Sequence, residues 1–308
     1  MSRLFLVTGG AGFIGSSIAR ALADRGDRVR VLDDFSSGRR ENLEGLPQIE
    51  VVEGDILDAD CLARAVEGVS VIFHEAAIPS VPRSISDPMP TNDTNVTGTL
   101  RVLQAARRSG ASRVVYAASS SAYGDTPTLP KVETMPTAPL SPYAVSKLAG
   151  ELYCRSFYHV YGLEAVCLRY FNVFGPRQDP KSQYAAVIPR FVTAALGRQT
   201  AIVHGDGEQS RDFCFIENVV SANLKAAEAR DAPGRAFNIA CGQAVSLNAV
   251  LNLLEQILGH RIERRHDAAQ VGDVRHSLAD ISSARAILGY EPRVDFREGL
   301  QRTVEWFR

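Results

Sequence analysis

Between Leu4 and Leu32 the chain passes from a short apolar run, Leu4 to Val7, through Thr8-Gly9-Gly10-Ala11-Gly12-Phe13-Ile14-Gly15, into a segment with Ile14, Ile18 and Leu22 at helical spacing. Gly26 closes that segment and a second apolar run, Val29 to Leu32, follows. Strand, glycine turn, helix and strand thus succeed one another over about thirty residues, the length of one βαβ unit. Parallel strands need such a crossover, so this opening commits the chain to building a parallel sheet. Further branched apolar runs at Ile49 to Val52, Val71 to Phe73, Val114 to Ala117 and Ala165 to Leu168 alternate with longer stretches of helical period. That alternation predicts an α/β protein, a Rossmann-type doubly wound parallel sheet.

The glycines have a reason at each position. Gly9 permits the tight turn, Gly12 lets a backbone approach a pyrophosphate, and Gly15 allows the helix to pack closely. With Phe13 and Ile14 they open a helix whose first amides face an anion. The second strand then delivers Asp33, whose carboxylate accepts bonds from ribose hydroxyls and repels a 2'-phosphate. The expected cofactor is therefore NAD, although Arg39 and Arg40 follow closely enough to keep NADP in view.

After about residue 173 the rhythm breaks, with Gly, Pro and polar residues clustered at 175–180 and 205–207. Residues 1–173 are read as the NAD-binding domain, with returns near 213–242, where Phe213 to Ala229 and Ala236 to Ile239 rejoin the main sheet. Residues 174–212 and 243–308 form a smaller C-terminal substrate-binding lobe, in which Ser246 to Leu258 is an amphipathic helix. At 308 residues and 45% hydrophobic, the chain can bury a large core. Its net charge of -1 leaves no basic surplus for nucleic acid or an anionic membrane. Neither a signal segment nor a membrane span is read, so a soluble cytoplasmic protein is expected. Cys61, Cys154, Cys167, Cys214 and Cys241 are scattered, without metal or disulfide spacing, and are expected to be buried thiols.

Chemistry is suggested by Ser119-Ser120-Ser121 and, further on, Tyr143 with Lys147 one helical turn later. A hydroxyl, a phenol and an ammonium of this kind can pass one proton among them. A Tyr and a Lys at this spacing also occur as an ordinary helix pair. The glycine fingerprint in the same chain raises the weight of the chemical reading.

These residues, together with Asp55-Ile56, His74-Glu75-Ala76-Ala77, Tyr123-Gly124, Arg169-Tyr170-Phe171-Asn172 and Arg211-Asp212-Phe213, resemble the extended short-chain dehydrogenase/reductases. Within that family they are similar to the UDP-sugar 4-epimerases related to UDP-galactose 4-epimerase, over nearly the whole chain. The resemblance implies that Asp33, Asp34, Ser37 and Gly38 lie at the cofactor's adenosine end, Asp55 and Ile56 against adenine, and Ala76, Ala77 and Tyr170 along the cofactor. Tyr143 is implied as the base and Lys147 as its electrostatic partner and the hold on the nicotinamide ribose. Ser119 bridges substrate and phenol, with proton transfer either direct or through its hydroxyl.

For the substrate, the resemblance implies Ser80 and the serine triplet beside the sugar and Asn172 and Arg211 on the diphosphate. It further implies Asp273 on the uridine ribose and Ala186, Val187 and Arg190 on the uracil side. Where many relatives carry an Arg, this chain has Gln270; either Arg275 compensates or UDP is held more weakly. Ser277 falls at the position that gates the C2 substituent, and a small residue there leaves room for an N-acetyl group. UDP-GlcNAc and UDP-GalNAc are thus the expected pair, with UDP-glucose and UDP-galactose also accepted. Relatives that dehydrate or decarboxylate carry carboxylic acids where this chain has Ser120 and Ser121, so those activities are disfavoured here; with UDP-glucuronate epimerisation they are the alternatives. A non-catalytic NAD-binding protein is the remote one. Family members pair through two helices, here those carrying Asn95 to Arg107 and Tyr143 to Tyr161, so a homodimer is expected.

Overall fold

A computed structural model describes residues 3–46, 48–180, 186–268 and 274–308. In chain order the first half comprises β1 (Leu4–Thr8), α1 (Phe13–Asp24), β2 (Arg28–Asp33), β3 (Ile49–Glu53), α2 (Ala59–Val66), β4 (Val71–His74), α3 (Val81–Ser86), α4 (Pro88–Asn92), α5 (Thr99–Ser109), β5 (Arg113–Ser119), α6 (Pro142–Tyr161) and β6 (Glu164–Tyr170). There follow β7 (Val173–Phe174), α7 (Val187–Leu196), β8 (Ala201–His204), β9 (Ser210–Asp212), β10 (Cys214–Phe215), α8 (Ile216–Ala226), β11 (Ala236–Ile239), β12 (Ala244–Ser246), α9 (Leu247–Leu258), β13 (Arg264–Asp267) and α10 (Phe296–Phe307). Seven strands form one parallel sheet in the order β11-β6-β5-β4-β1-β2-β3. The order reverses at β1, where open sheets of this kind place their ligand crevice.

Strand β1 sits between two neighbours and is buried along its length. Its alternation sends Phe5 and Val7 to one face, with Ile18 and Leu22 of α1, and Leu4 and Leu6 to the other, with Leu62, Leu103 and Phe157. Strand β3 lies at an edge and is largely exposed, and its Glu50 and Glu53 discourage pairing with another chain. At the opposite edge β11 joins β6, pairing Ile239 with Tyr170. Of the segments expected to return to the sheet, only Ala236 to Ile239 does so. Cys214–Phe215 pairs instead with Val173–Phe174, because β10 runs at once into α8, which packs beside α1. The helix expected from Ser246 begins at Leu247, with the Ser246 hydroxyl capping its N-terminus.

Two further strand pairs, β9 with β12 and β8 with β13, flank the main sheet. β13, Arg264-Arg265-His266-Asp267, is no apolar run, and β8, Ala201-Ile202-Val203-His204, is a short one that was not read as a strand. Four cysteines are buried and Cys241 is only partly so. Among the described residues no helix is long and apolar enough to cross a membrane.

Candidate active site

Register brings four strand ends to one edge: Thr8 lies beside His74, and Ser119 beside Tyr170. The fingerprint loop closes over this edge. Gly9 has a φ of +66°, and a Cβ there would stand 2.6 Å from the Ala76 nitrogen. A Cβ on Gly15 would fall 2.2 Å from the Gly9 carbonyl oxygen, so the helix could not approach the loop with any larger residue. Gly12 differs, since its nearest neighbour would be 3.2 Å away and the space beyond is open. It also begins α1 without any side-chain cap, leaving the first amides available to an anion. Phe13 and Ile14 are partly buried against the core.

At the end of β2 the Asp33 carboxylate is buried and accepts from the Ala11 amide at 2.8 Å and the Phe35 amide at 2.9 Å. Burial raises its pKa, against those two hydrogen bonds. Gly38 lies so close that a Cβ would stand 2.6 Å from Asp33 Oδ1. Asp34 is exposed and holds the Ser36 amide and hydroxyl, and Ser37 is also exposed. The two arginines that left NADP in view are engaged elsewhere. Arg40 pairs with Glu53 and stacks 4.0 Å from the Phe35 ring centroid, and Arg39 bonds Asp179 at 2.7 Å. The open glycine, the uncapped amides and the buried carboxylate fit a dinucleotide without a 2'-phosphate. Ile56 is buried against Gly98, while Asp55 is exposed and its carboxylate accepts the Leu57 amide.

His74 is buried between two hydroxyls, with Nδ1 2.7 Å from Thr8 Oγ1 and Nε2 3.0 Å from Thr99 Oγ1. The Thr99 hydroxyl donates to the Asn95 carbonyl at 2.6 Å, so it accepts from Nε2–H and the Thr8 hydroxyl donates to Nδ1. Burial and the nearby Lys147 charge lower this imidazole to about 3, leaving it a neutral spacer. Ala76 and Ala77 follow it, half-buried at the mouth.

The Tyr143 amide donates to Ser84 Oγ at 3.0 Å, and Ser141 caps the same helix through the Ala144 amide. The start of α6 is thereby fixed against α3, and the phenol it carries lies near enough to the Ser119 hydroxyl for that group to act on its pKa. Burial raises the phenol's pKa, and the Ser119 hydroxyl opposes that rise. Ser121 Oγ bonds Ser119 Oγ at 2.8 Å, while Ser120 lies partly exposed in the same turn. Lys147 is buried on the same helix face, its ammonium 5.0 Å from the Tyr116 ring centroid. Burial brings its pKa down to about 8, with the Glu75 charge acting in the other direction. The Tyr170 hydroxyl is occupied by Glu75 and Asn223. The sequence assigned no role to the side chains of Ser84, Glu75 and Asn95, which brace this site; Glu75 entered only as part of the motif at 74–77 and Asn95 only as the start of a helix.

On the other side of the cleft Asn172, at φ +34°, donates to Ser277 Oγ at 3.1 Å and to the Asp212 carbonyl at 3.2 Å. Two residues expected beside neighbouring parts of a UDP-sugar, the diphosphate and C2 of the hexose, are thus in contact. Arg211 donates to the carbonyls of Ser210 and Arg275. Arg275 itself pairs with Asp206 at 2.8 Å, which commits the side chain expected to replace a missing arginine. Gln270 and Asp273 lie outside the described residues. Ala186, Val187 and Arg190 open α7, with Ala186 at its N-cap. Ser80 is buried and its hydroxyl caps α3 through the Arg83 amide, so that oxygen already has a structural partner.

The family model described as "NAD dependent epimerase/dehydratase family" matches residues 5–240. A UDP-glucose 4-epimerase of Mycolicibacterium smegmatis is 41% identical over 308 residues, covering 98% of each chain. Among solved structures, a UDP-N-acetylglucosamine 4-epimerase from Methanobrevibacter ruminantium, in complex with UDP-N-acetylmuramic acid, superposes with a TM-score of 0.95 at 39% identity, covering 99% of this chain and 98% of that one. A UDP-glucose 4-epimerase from Thermotoga maritima, with UDP-glucose, gives 0.95 at 37% identity and the same coverage.

Proposed function

The chain belongs to the NAD dependent epimerase/dehydratase family and its cofactor is NAD, and we propose that it is a UDP-sugar 4-epimerase interconverting UDP-GlcNAc with UDP-GalNAc, and UDP-glucose with UDP-galactose, through a transient 4-keto sugar. The observation that carries this reading is the convergence of Ser119, Tyr143 and Lys147 at the strand ends beside the fingerprint loop. NAD, when bound, would supply the hydride acceptor and donor for the oxidation and reduction at C4. Gly9, Gly12 and Gly15 bring the backbone to its pyrophosphate, with Phe13 and Ile14 alongside. Asp33, Asp34, Ser37, Gly38, Asp55 and Ile56 hold the adenosine half, and Ala76, Ala77 and Tyr170 line the rest.

Tyr143 takes the 4-hydroxyl proton, either directly or by way of Ser119. Its raised pKa in the protein alone means that the phenolate needs positive charge nearby, which Lys147 supplies. Keeping the proton on Tyr143 while the sugar is a ketone lets the same group return it. The hexose must turn over between the two hydride transfers, so the nucleotide is the part held firmly. Asn172 and Arg211 suit the diphosphate, since Arg presents a forked pair of donors. Asp273, Ala186, Val187 and Arg190 suit the uridine. Elimination or decarboxylation is disfavoured because Ser120 and Ser121 provide no carboxylic acid beside Ser119, and Ser121 is bonded to it.

NMR of the purified protein with UDP-GlcNAc or UDP-glucose, and no added NAD, tests the reading. UDP-GalNAc and UDP-galactose are the expected products; conversion of UDP-glucuronate alone would overturn the substrate assignment. Ser277→Tyr should lower kcat/KM for the N-acetylated sugar by about a hundredfold while sparing the plain hexose. Equal losses on both would remove Ser277 as the gate.

Assembly as a homodimer is part of the same reading. Val145, Leu152, Val160 and Tyr161 are exposed on α6, and Ile85 and Met89 on the adjacent α3 and α4. The first three repeat along one side of α6 and suit a second copy of that helix. Sedimentation as a monomer at micromolar concentration would exclude it.

A further inference from the structure

Asp212 ends β9 and is wholly buried, so its carboxylate is out of reach of any ligand. No step above uses it. Its two oxygens nevertheless take three backbone amides from two distant parts of the chain. Oδ1 accepts from Cys241 at 2.9 Å, and Oδ2 accepts from Gly242 at 3.0 Å and from Ala279 at 3.1 Å. Burial raises its pKa to about 6, against those amides, so at pH 8 the group is a carboxylate with both oxygens accepting.

Ala279 lies two residues past Ser277, in a segment held along both edges. On the edge facing β9, the Ser210 amide donates to the Arg275 carbonyl and the Ser277 amide to the Ser210 carbonyl, both at 3.0 Å. On the other edge, the Lys131 amide donates to the Leu278 carbonyl at 2.7 Å and the Asp280 amide to the Lys131 carbonyl at 2.9 Å. A parallel ladder carried one step further along β9 would run from the Asp212 amide to the Ser277 carbonyl and from the Ala279 amide to the Asp212 carbonyl. It does neither. The Asp212 amide meets the Ser277 hydroxyl at 3.4 Å, the Ala279 amide meets the Asp212 carboxylate, and the Asp212 carbonyl thus spared accepts from Asn172. Side-chain oxygens stand where backbone carbonyls would, at the residue expected beside C2 of the hexose.

We propose that Asp212 is a positioning residue for sugar selection: its carboxylate ties the Ser277 segment to the loop after β11, and so sets the wall of the pocket for the C2 substituent without meeting the sugar. The inference rests on the 4-epimerase reading and on Ser277 as its gate. A carboxylate is required because one group must accept on two sides at once. An amide of the same shape has a single accepting oxygen and turns its NH2 toward either Cys241 or Ala279, where an N–H already points.

Asp212→Asn, assayed at pH 8, therefore opens the clamp while keeping its volume. It should raise KM for UDP-GlcNAc about tenfold with kcat little changed, and leave both constants for UDP-glucose within about twofold. In the Ser277→Tyr background, where the pocket is already closed, it should lower the selectivity no further. Hydrogen exchange followed by mass spectrometry should quicken about tenfold in peptides spanning 274–280 or 240–243, and stay unchanged in those of the central sheet. Unchanged selectivity, equal losses on the two sugars, unaltered exchange in both segments, or a variant that does not fold would overturn the proposal. If the wild-type chain turned over no UDP-sugar, or Ser277→Tyr slowed both sugars alike, the substrate or gate reading would fall, and the exchange rates would still decide whether Asp212 holds the Ser277 segment.

Discussion

Tyr143→Phe should lower kcat for UDP-sugar epimerisation by about a thousandfold while leaving NAD bound. The phenol is the group whose proton has somewhere to come from and go to, because the Ser119 hydroxyl is its neighbour and the Ser84 hydroxyl fixes the backbone that carries it. Phenylalanine keeps the ring and its packing, so fold and cofactor should survive. Turnover followed by NMR, with bound NAD released by denaturation and quantified by absorbance, checks both halves. A loss of less than tenfold would take the base role away from Tyr143 and pass it to Ser119 or a bound water.

Glu151→Ala should cost about 3–5 kcal/mol of folding stability, read from urea unfolding. Glu151 lies one turn beyond Lys147 on α6, and Arg169 immediately precedes Tyr170 on β6. Arg169 Nε and Nη2 reach the two Glu151 oxygens at 2.9 and 2.6 Å, with both side chains 5% exposed or less. Arg169 also stacks 4.7 Å from the Tyr123 ring centroid, and its Nη1 is buried without a hydrogen-bond partner. Deleting the carboxylate leaves a buried guanidinium without its two-pronged partner. Glu151→Leu with Arg169→Met should regain most of the loss, since an apolar pair removes both desolvation penalties. If the single and double variants were equally unstable, packing around the pair, and not its charge, would be what holds α6 to the sheet.

The central sheet was legible in the sequence because strands buried on both faces read as continuous branched apolar runs. Leu4 to Val7 and Val114 to Ala117 are of that kind. The flanking pairs were not, because two or three residues such as Val173–Phe174 carry no periodicity, and β13 is polar and half-exposed. In the site, the glycines and the Tyr143/Lys147 pair were legible because each chemistry requires its residue type at a fixed spacing. Asn172 and Ser277 were legible only through resemblance, being far apart in the chain and joined by the fold. The Glu151–Arg169 pair and the hydroxyl of Ser84 were hidden for a related reason. A partner across the fold leaves no mark on the residues that neighbour it in sequence.

The ion pair between Arg39 and Asp179 joins the loop after β2 to the segment that follows β7, and Arg177 bonds Ser17 of α1 at 3.2 Å in the same region. Together they tie the segment after β7 to the loop after β2 and to α1, beside the fingerprint loop. A dehydrogenase exchanges its coenzyme in every cycle, and fastenings there would throttle it. An enzyme that gives the hydride back to the sugar it came from has no such traffic, and for it fastenings of this kind carry no penalty in turnover.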